Sequence, residues 1–432
     1  MNAFAGAMRR MREGLGRAEK HRHPLQKQAR VLEAARSYCE GVSRLKADLD
    51  AGPPRSTGLR HWQRFLSDYV QSAGFQALAG EAEDVSAELV AIRYTILIRG
   101  LDVRIDPFEG QPDYGAIIVD SYARFAQGDE ERFGFHIPEE QELNFIEGRI
   151  LSEVARAFPS PFSALGEFAS RYGAGFGDEI VVRFDREIQF YLTYLDHIAP
   201  LKSSGLSFCL PDVVAAKDVH ADEAFDLALA QKLLGGEDAI VTNSFSLAGR
   251  ERIIVVSGPN QGGKTTFARL FGQLHHLACL GLPVPGRAAR LHLFDRILTH
   301  FEHPEVANSA NGKLQDELVR MQAVLSSASG ESIIIMNELF ASTTFRDAKL
   351  LSERITERLV TLDLLCIWVS FIDGLSEMSD TMISMVSGVD PDDPARRTYR
   401  LDRRPADGLA YARAIAGKYG LTRVQIAERL RK

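Results

Sequence analysis

Residues 253–266 read Ile-Ile-Val-Val-Ser-Gly-Pro-Asn-Gln-Gly-Gly-Lys-Thr-Thr. Four β-branched residues in a row predict a short buried strand, and the Gly-x-x-x-x-Gly-Lys-Thr that follows predicts a glycine-rich turn opening a helix. Gly258 and Gly263 let the backbone curl so that successive N–H groups face a phosphate chain. Lys264 adds charge at the β/γ end, and the Thr265 hydroxyl is placed to ligate Mg²⁺. With Pro259, Asn260, Gln261, Gly262 and Thr266, these residues form the expected cofactor-binding loop. Phe267, Leu270, Phe271 and Leu274 recur at helical spacing after it, which supplies the context the motif needs. The chain is expected to bind a nucleoside triphosphate, with ATP and Mg²⁺ as its cofactors.

Downstream, Ser332-Ile333-Ile334-Ile335-Met336 predicts a second buried strand ending in Asn337-Glu338. In nucleoside triphosphatases of this architecture such a strand delivers two acidic groups, one steering Mg²⁺ through water and one polarising the attacking water. Glu338 suits the second role and is the expected catalytic residue. Asn337 stands on the metal side, where an amide oxygen can accept a hydrogen bond from a metal-bound water but brings no charge. From residue 222 onward strands and helices alternate. Strands are expected at 253–257, 332–336, 364–369, 381–386 and 398–401, and helices at about 264–280, 311–328, 347–362, 406–419 and 422–431. Such alternation predicts a mostly parallel sheet with helices on both faces.

The first half reads mostly helical. Residues 26–48 and 60–79 have apolar positions three and four apart, on either side of a break at Gly52-Pro53-Pro54. Residues 94–105 suggest a hairpin around Arg99-Gly100. A helix is expected from Pro138 to about Phe158, closed by Pro159-Ser160-Pro161. Asp178 can cap a long helix over 178–201, with Ile180, Phe184, Ile188, Tyr191, Leu192, Leu195 and Ile198 as one apolar stripe before Pro200. That helix suits either a lever between domains or an ordinary core position. The expected division is a helical region over 1–221 and an α/β domain over 222–432.

The composition is that of a soluble globular protein, with 45% hydrophobic and 25% charged residues. No apolar run approaches a membrane span, and the start lacks a signal-peptide pattern, so a cytoplasmic protein without a membrane partner is expected. Cys39, Cys209, Cys279 and Cys366 are scattered without metal-ligand spacing and are expected as reduced thiols. A net charge of −7 gives no overall pull toward nucleic acid. Arg9, Arg10, Arg12, Arg17, Lys20, Arg22, Lys27 and Arg30 nonetheless crowd the first thirty residues, as either a phosphate-backbone contact or a solvated helix face.

Taken together, these motifs resemble the MutS family of mismatch-repair ATPases. Gly-Pro-Asn-Gln-Gly-Gly-Lys-Thr-Thr is similar to the family's Gly-Pro-Asn-x-x-Gly-Lys-Ser/Thr loop, and Asp295-Arg296-Ile297 to its Asp-Arg-Ile strand. Residues 337–347, beginning Asn-Glu-Leu-Phe-Ala-Ser-Thr-Thr, lie over its Asp-Glu-Ile-Gly-Arg-Gly-Thr-Ser. Gly420-Leu421-Thr422-Arg423-Val424 resembles the start of its closing helix. The resemblance covers about 222–432 and implies an ABC-type, MutS-like α/β P-loop NTPase domain preceded by a mostly helical core and lever. It also implies a homodimer that engages duplex or branched DNA, in mismatch repair, recombination or another repair role. The start of the signature helix, here Gly312-Lys313, would reach the partner's γ-phosphate, with Asn308, Ser309 or Asn311 as its cap. This chain departs from the family at Asn337, at Ser370-Phe371 where the family has its γ-phosphate-sensing Thr-His, and at 312–317. Phe145-Ile146-Glu147 has the spelling of the family's mismatch wedge but falls in an expected amphipathic helix, with Phe145 as core. A short MutS-related protein lacking the N-terminal mismatch-recognition domain and a C-terminal nuclease is therefore expected. Two rivals remain: a nucleotide-gated binding module with slow or no hydrolysis, and an ABC-class ATPase acting on a protein or membrane partner.

Overall fold

The computed structural model describes residues 1–99, 102–112, 114–123, 143–236, 238–301, 312–390, 396–406 and 419–430. The chain divides into two compact units, Met1–Tyr194 and Leu195–Lys432. The division falls inside the long helix rather than near residue 222.

The first unit begins with four helices, α1 (Asn2–Lys20), α2 (Pro24–Ala51), α3 (Thr57–Gln71) and α4 (Ala73–Val90). The periodicity across 60–79 belongs to two helices, because the Ser72 backbone is extended and its hydroxyl accepts from Phe75 N, ending α3 and capping α4. The expected hairpin is present as β1 (Tyr94–Arg99) antiparallel to β2 (Asp102–Pro107). Next come α5 (Tyr114–Ala123), α6 (Phe145–Ala157) and α7 (Pro159–Tyr172). Residues 124–142, including the expected start at Pro138, lie outside the described residues. Helix α6 starts instead with a capping box, in which Asn144 accepts from Glu147 N and Glu147 Oε2 accepts from Asn144 N. Its first residue, Phe145, is 77% exposed and lies beneath the Arg149 guanidinium, so it is not the core residue expected. Pro159 does not merely close α6. It occupies the first turn of α7, where its missing N–H costs nothing.

Helix α8 (Glu179–Ser203) is capped by Asp178 Oδ1, which accepts from Ile180 N and Val181 N. It runs through Pro200 rather than stopping there. The buried positions on its first-unit portion are Val181, Asp185 and Tyr194, with Phe184 and Ile188 partly covered, while Ile180 and Tyr191 are exposed. Of the expected stripe, Ile198 is buried and Phe184, Ile188 and Leu192 are partly covered, whereas Ile180, Tyr191 and Leu195 are exposed. The core beneath it is built from Phe4, Met8, Tyr38, Val42, Leu45, Leu66 and Phe75. In the basic N-terminal segment, Arg10 pairs with Glu40, Arg12 with the buried Asp185, Arg17 with Glu13 and Arg30 with Glu33. Much of its charge is thus answered within the unit.

The second unit opens with β3 (Phe208–Cys209), β4 (Asp212–Val214), β5 (Val219–Ala224), α9 (Leu227–Leu233) and β6 (Asn243–Leu247). A turn at Leu234-Gly235-Gly236 follows α9, and Gly235 takes a φ of 81° there. The loop strand β7 (Ile253–Ser257) leads into α10 (Lys264–Cys279), followed by β8 (Val284–Pro285), β9 (Ala288–His292) and β10 (Ile297–His300). Then come α11 (Lys313–Ser327), β11 (Ile333–Asn337), α12 (Phe345–Leu362), β12 (Leu365–Val369), β13 (Met382–Val389), β14 (Arg397–Arg403) and α13 (Arg423–Leu430). Most of the helix expected at 406–419 lies outside the described residues.

Six strands pair in the order β10-β11-β12-β7-β13-β14, all parallel except the last pair. The alternation along β7 explains its uninterrupted apolar run. Ile254 and Val256 join Phe267, Phe271 and Leu274 of α10 on one face, while Ile253 and Val255 join Met321, Ile355 and Trp368 on the other. A parallel sheet covered on both sides needs apolar residues at every position. A second sheet, β4-β9-β5-β6, has no counterpart among the expected strands. Its β5 and β6 lend Val219, Ala221, Phe245 and Leu247 to the α10 side of the core. Among the described residues no helix is long and apolar enough to cross a membrane, and all four cysteines are free.

Candidate functional site

Strand β7 lies between β12 and β13, so its C-terminal end is where the connections diverge to the two sides of the sheet, and the loop from 258 to 263 leaves from there. Gly258 and Gly263 have φ of 121° and 89°, values that side chains rarely tolerate. Gly262 is required for a different reason. Ser387 Oγ of β13 donates to its carbonyl at 2.5 Å, and a Cβ at 262 would collide with that hydroxyl and sit 2.9 Å from Pro259 O. Lys264, only 7% exposed, donates to the carbonyls of Gly258 and Pro259 at 3.0 Å each and reaches Asn260 Oδ1 at 3.4 Å. Burial holds its ammonium below the usual lysine range; Glu338 opposes that effect and Arg397 adds to it.

Across the site, the Thr265 hydroxyl donates to Asn337 Oδ1 at 2.9 Å. Asn337 closes β11, and the next residue turns sharply. Glu338 has a φ of 53°, and its N–H donates to Val369 O at 2.9 Å. Left-handed backbone at a non-glycine residue is held there by its surroundings, here the buried Leu339 and Phe340, and such strain gathers at functional positions. Glu338 and the loop residues Asn260 to Thr266 line one cavity of about 560 Å³. Its lining also includes the apolar Phe225, Leu229, Leu233, Ile240 and Val241, the acidic Asp226 and Asp238, and Tyr399. A larger hollow of about 870 Å³ lies among α1, α2 and α4, but its arginines and glutamates pair with one another and leave no net charge facing in.

The predicted residues are thus distributed unevenly. Asn260, Gln261, Gly262, Gly263, Lys264, Thr265, Thr266 and Glu338 share the cavity, and Asn337 joins through Thr265. Gly258 and Pro259 carry the carbonyls that hold Lys264. Ser370 does not line the cavity: it is buried, its Oγ accepts from Ile372 N, and its own N–H donates to Val256 O. Phe371 is 48% exposed and is likewise absent from the lining. Lys313 opens α11, but the cap is Gly312, which offers no side-chain bond, and Asn308, Ser309 and Asn311 lie outside the described residues.

Sequence reading missed three contributors. Tyr399 lines the cavity with a φ of 57°. Asn243 accepts from Leu401 N at 2.7 Å and donates to Tyr399 O at 3.1 Å, bracketing that residue. Arg397 donates from Nε to Asn260 O at 3.1 Å. Only the strand signal at 398–401 was visible, and nothing in it distinguished these side chains. The donor set at Thr265 and Asn337 fits Mg²⁺ held largely through water and phosphate, with one negative charge fewer than a paired aspartate and glutamate would bring.

A central parallel strand that feeds a glycine loop into a helix, with a carboxylate from a nearby strand on the same cavity, defines a P-loop nucleotide-binding domain of the α/β class. Residues 254–388 match the family profile of MutS domain V. In this domain the chain is similar to members of the MutS family. It is 26% identical over 218 residues to the DNA mismatch repair protein MutS of Synechococcus sp. (strain CC9311), covering 50% of this chain and 23% of that protein. To the DNA mismatch repair protein msh3 of Aspergillus fumigatus it is 25% identical over 252 residues, 57% of this chain and 21% of the relative. The MutS of Erythrobacter litoralis is 28% identical over 149 residues, covering 34% and 17%. The chain therefore spans about a fifth of the length of the relatives it matches.

Proposed function

We propose that this chain is a MutS-like ATP-binding ATPase whose nucleotide site gates engagement of DNA by a homodimer. The observation that carries the reading is the convergence of the loop residues 260–266 and Glu338 on one cavity that also has apolar lining residues. In this reading the triphosphate lies along the loop, with Lys264 exchanging its carbonyl partners for phosphate oxygens. The base packs on the apolar lining residues, with Tyr399 against it. Glu338 orients and polarises the attacking water. Thr265 and Asn337 would hold Mg²⁺, which when bound offsets charge on the phosphates. Gly312 and Lys313 act in trans on the partner's γ-phosphate, while Ser370 and Phe371, which align in sequence with the family's sensing pair, lie outside the cavity lining and bring no imidazole. The helical unit is the core and lever that meets DNA by shape and phosphate contact, in repair or recombination. Support for DNA comes from relatives that are named DNA mismatch repair proteins.

Steady-state ATP hydrolysis by the parent, Lys264→Ala and Glu338→Gln tests the site. Salt-dependent binding to homoduplex, mismatched, forked and four-way-junction DNA, with and without ATP, tests the partner. Unchanged nucleotide affinity in Lys264→Ala would remove the proposal at its base. A second reading, a nucleotide-gated module with slow or no hydrolysis, is favoured by one observation. The group hydrogen-bonded to Thr265 is an uncharged amide, so the metal side of the site is short of charge.

A further inference from the structure

The pairing of β13 with β14 is broken beside the loop. Ser387 pairs with Leu401 and Val389 with Arg397, so Gly388 alone stands opposite Thr398, Tyr399 and Arg400. The extra residues of β14 form a bulge, and a Cβ at Gly388 would stand 2.7 Å from Thr398 Oγ1, so the glycine makes room for it. At the centre of the bulge Tyr399 has a φ of 57°, a left-handed conformation costly for a bulky residue. Asn243, the first residue of β6, holds it there. Its Oδ1 accepts from Leu401 N at 2.7 Å and its Nδ2 donates to Tyr399 O at 3.1 Å, so one side-chain amide makes both bonds. The ring is half-exposed and lies at the end of the phosphate loop, where a Cβ at Gly263 would stand 3.7 Å from Tyr399 Cδ1. A half-exposed ring gives little to the core, so folding alone does not offset the strain. Asn243, Tyr399, the loop and the apolar Ile240 and Val241 line the same cavity.

We infer that Asn243 is a positioning residue for nucleobase binding, fixing the bulge so that Tyr399 presents its ring to the base. This role lies within the nucleotide site proposed above and rests on that reading. A stacked base is bound through its flat face, and the folded sheet has already set the tyrosine's backbone before the nucleotide arrives. The loop holds the phosphates in either case. Asn243 therefore governs how much a nucleoside adds to the affinity of a bare polyphosphate, and leaves the affinity for the polyphosphate itself unchanged.

The test is calorimetric titration of ADP and of pyrophosphate into the full chain in Mg²⁺. The two ligands share a diphosphate and differ in the nucleoside, and neither is consumed by ATP hydrolysis. Tyr399→Ala should weaken ADP by about ten-fold or more and Asn243→Ala by about three- to ten-fold, with pyrophosphate within about two-fold of the parent in both. Tyr399→Phe keeps the ring and should stay within about three-fold of the parent for ADP. Added to Tyr399→Ala, Asn243→Ala should weaken ADP by no more than about two-fold further, because its effect runs through the ring. ADP affinity equal to the parent's in Asn243→Ala or in Tyr399→Ala overturns the inference. An equal loss for pyrophosphate in a folded Asn243→Ala protein also overturns it, since Asn243 would then shape the loop. Additive losses in the double variant do the same, since they would put Asn243 itself on the ligand. Should Asn243→Ala fail to fold, Asn243→Ser, whose hydroxyl is too short to make both bonds, carries the same expectations. Lys264→Ala is the separate control and should lose both ligands. Parental affinity for both in that variant would sink the nucleotide site itself, whatever Asn243 does.

Discussion

Exchanging Asn337 for Asp replaces an amide nitrogen with a charged oxygen and changes almost nothing in volume, so its effect can be worked from the site's electrostatics. Thr265 Oγ1 and Asn337 Oδ1 are 2.9 Å apart. A hydroxyl ligates Mg²⁺ at about 2.1 Å, which sets a divalent ion roughly 4–5 Å from the oxygen of residue 337. At that range a unit charge and a divalent ion attract by ~2 kcal/mol in bulk water and ~7 kcal/mol at an effective dielectric of about 20. Asn337 is only partly buried, and the new carboxylate must shed some of its own water, so the lower figure applies. Asn337→Asp should tighten ATP binding in Mg²⁺ by about 10- to 30-fold. In EDTA the same carboxylate faces the bare polyphosphate and should weaken binding by about 3- to 10-fold. The signature is therefore a change of sign between the two conditions, read by titrating ATP into both proteins in each buffer. A shift of the same sign and size with and without metal would refute the reasoning, because residue 337 would then be acting through loop geometry and not through charge.

Glu338→Gln should bind ATP within about three-fold of the parent while hydrolysis falls by about 10²-fold or more, seen as single-turnover product formation on retained nucleotide. Lys264→Met should lower ATP affinity by about 10²-fold or more and yet raise the melting temperature of the nucleotide-free protein, since burial already disfavours the charged lysine; a lower melting temperature would contradict this. The same depressed pKa gives a pH prediction. Phosphate binding needs the protonated amine, so ATP affinity should be full at neutral pH and decline as pH rises through a value below the ordinary lysine pKa of about 10.4, and Lys264→Arg should remove that decline. Asn337→Asp combined with Phe371→His should exceed the sum of the single changes in hydrolysis rate, and strict additivity would show that the two positions do not share one phosphate.

The nucleotide half was legible because its signals are local. The run at Ile253 to Val256, the glycines at 258 and 263 and the helical repeat from Phe267 each report a backbone demand that neighbouring residues satisfy. Glu338 was legible for the same reason, as a carboxylate just past an uninterrupted apolar strand. The helical half was less so. Apolar spacing located helices, but the break at Ser72 and the start at Asn144 depend on single side chains capping backbone N–H groups, which periodicity cannot see. The buried face of α8 depends on what packs against it: Asp185 is buried because Arg12 answers its charge, and that pairing spans 173 residues.

Sequence alone determined that a phosphate loop exists here, which residues form it, and that a parallel sheet stands behind it. Those conclusions follow from short-range sterics and from a period that matches a sheet covered on both faces. Only the tertiary structure decided what surrounds the loop. Ser387 against Gly262, Arg397 on Asn260 and Asn243 bracketing Tyr399 join segments 125 to 158 residues apart. Each is a meeting of strand ends set by the order of strands in the sheet, and strand order is settled by long-range packing, of which no local stretch of sequence carries a record.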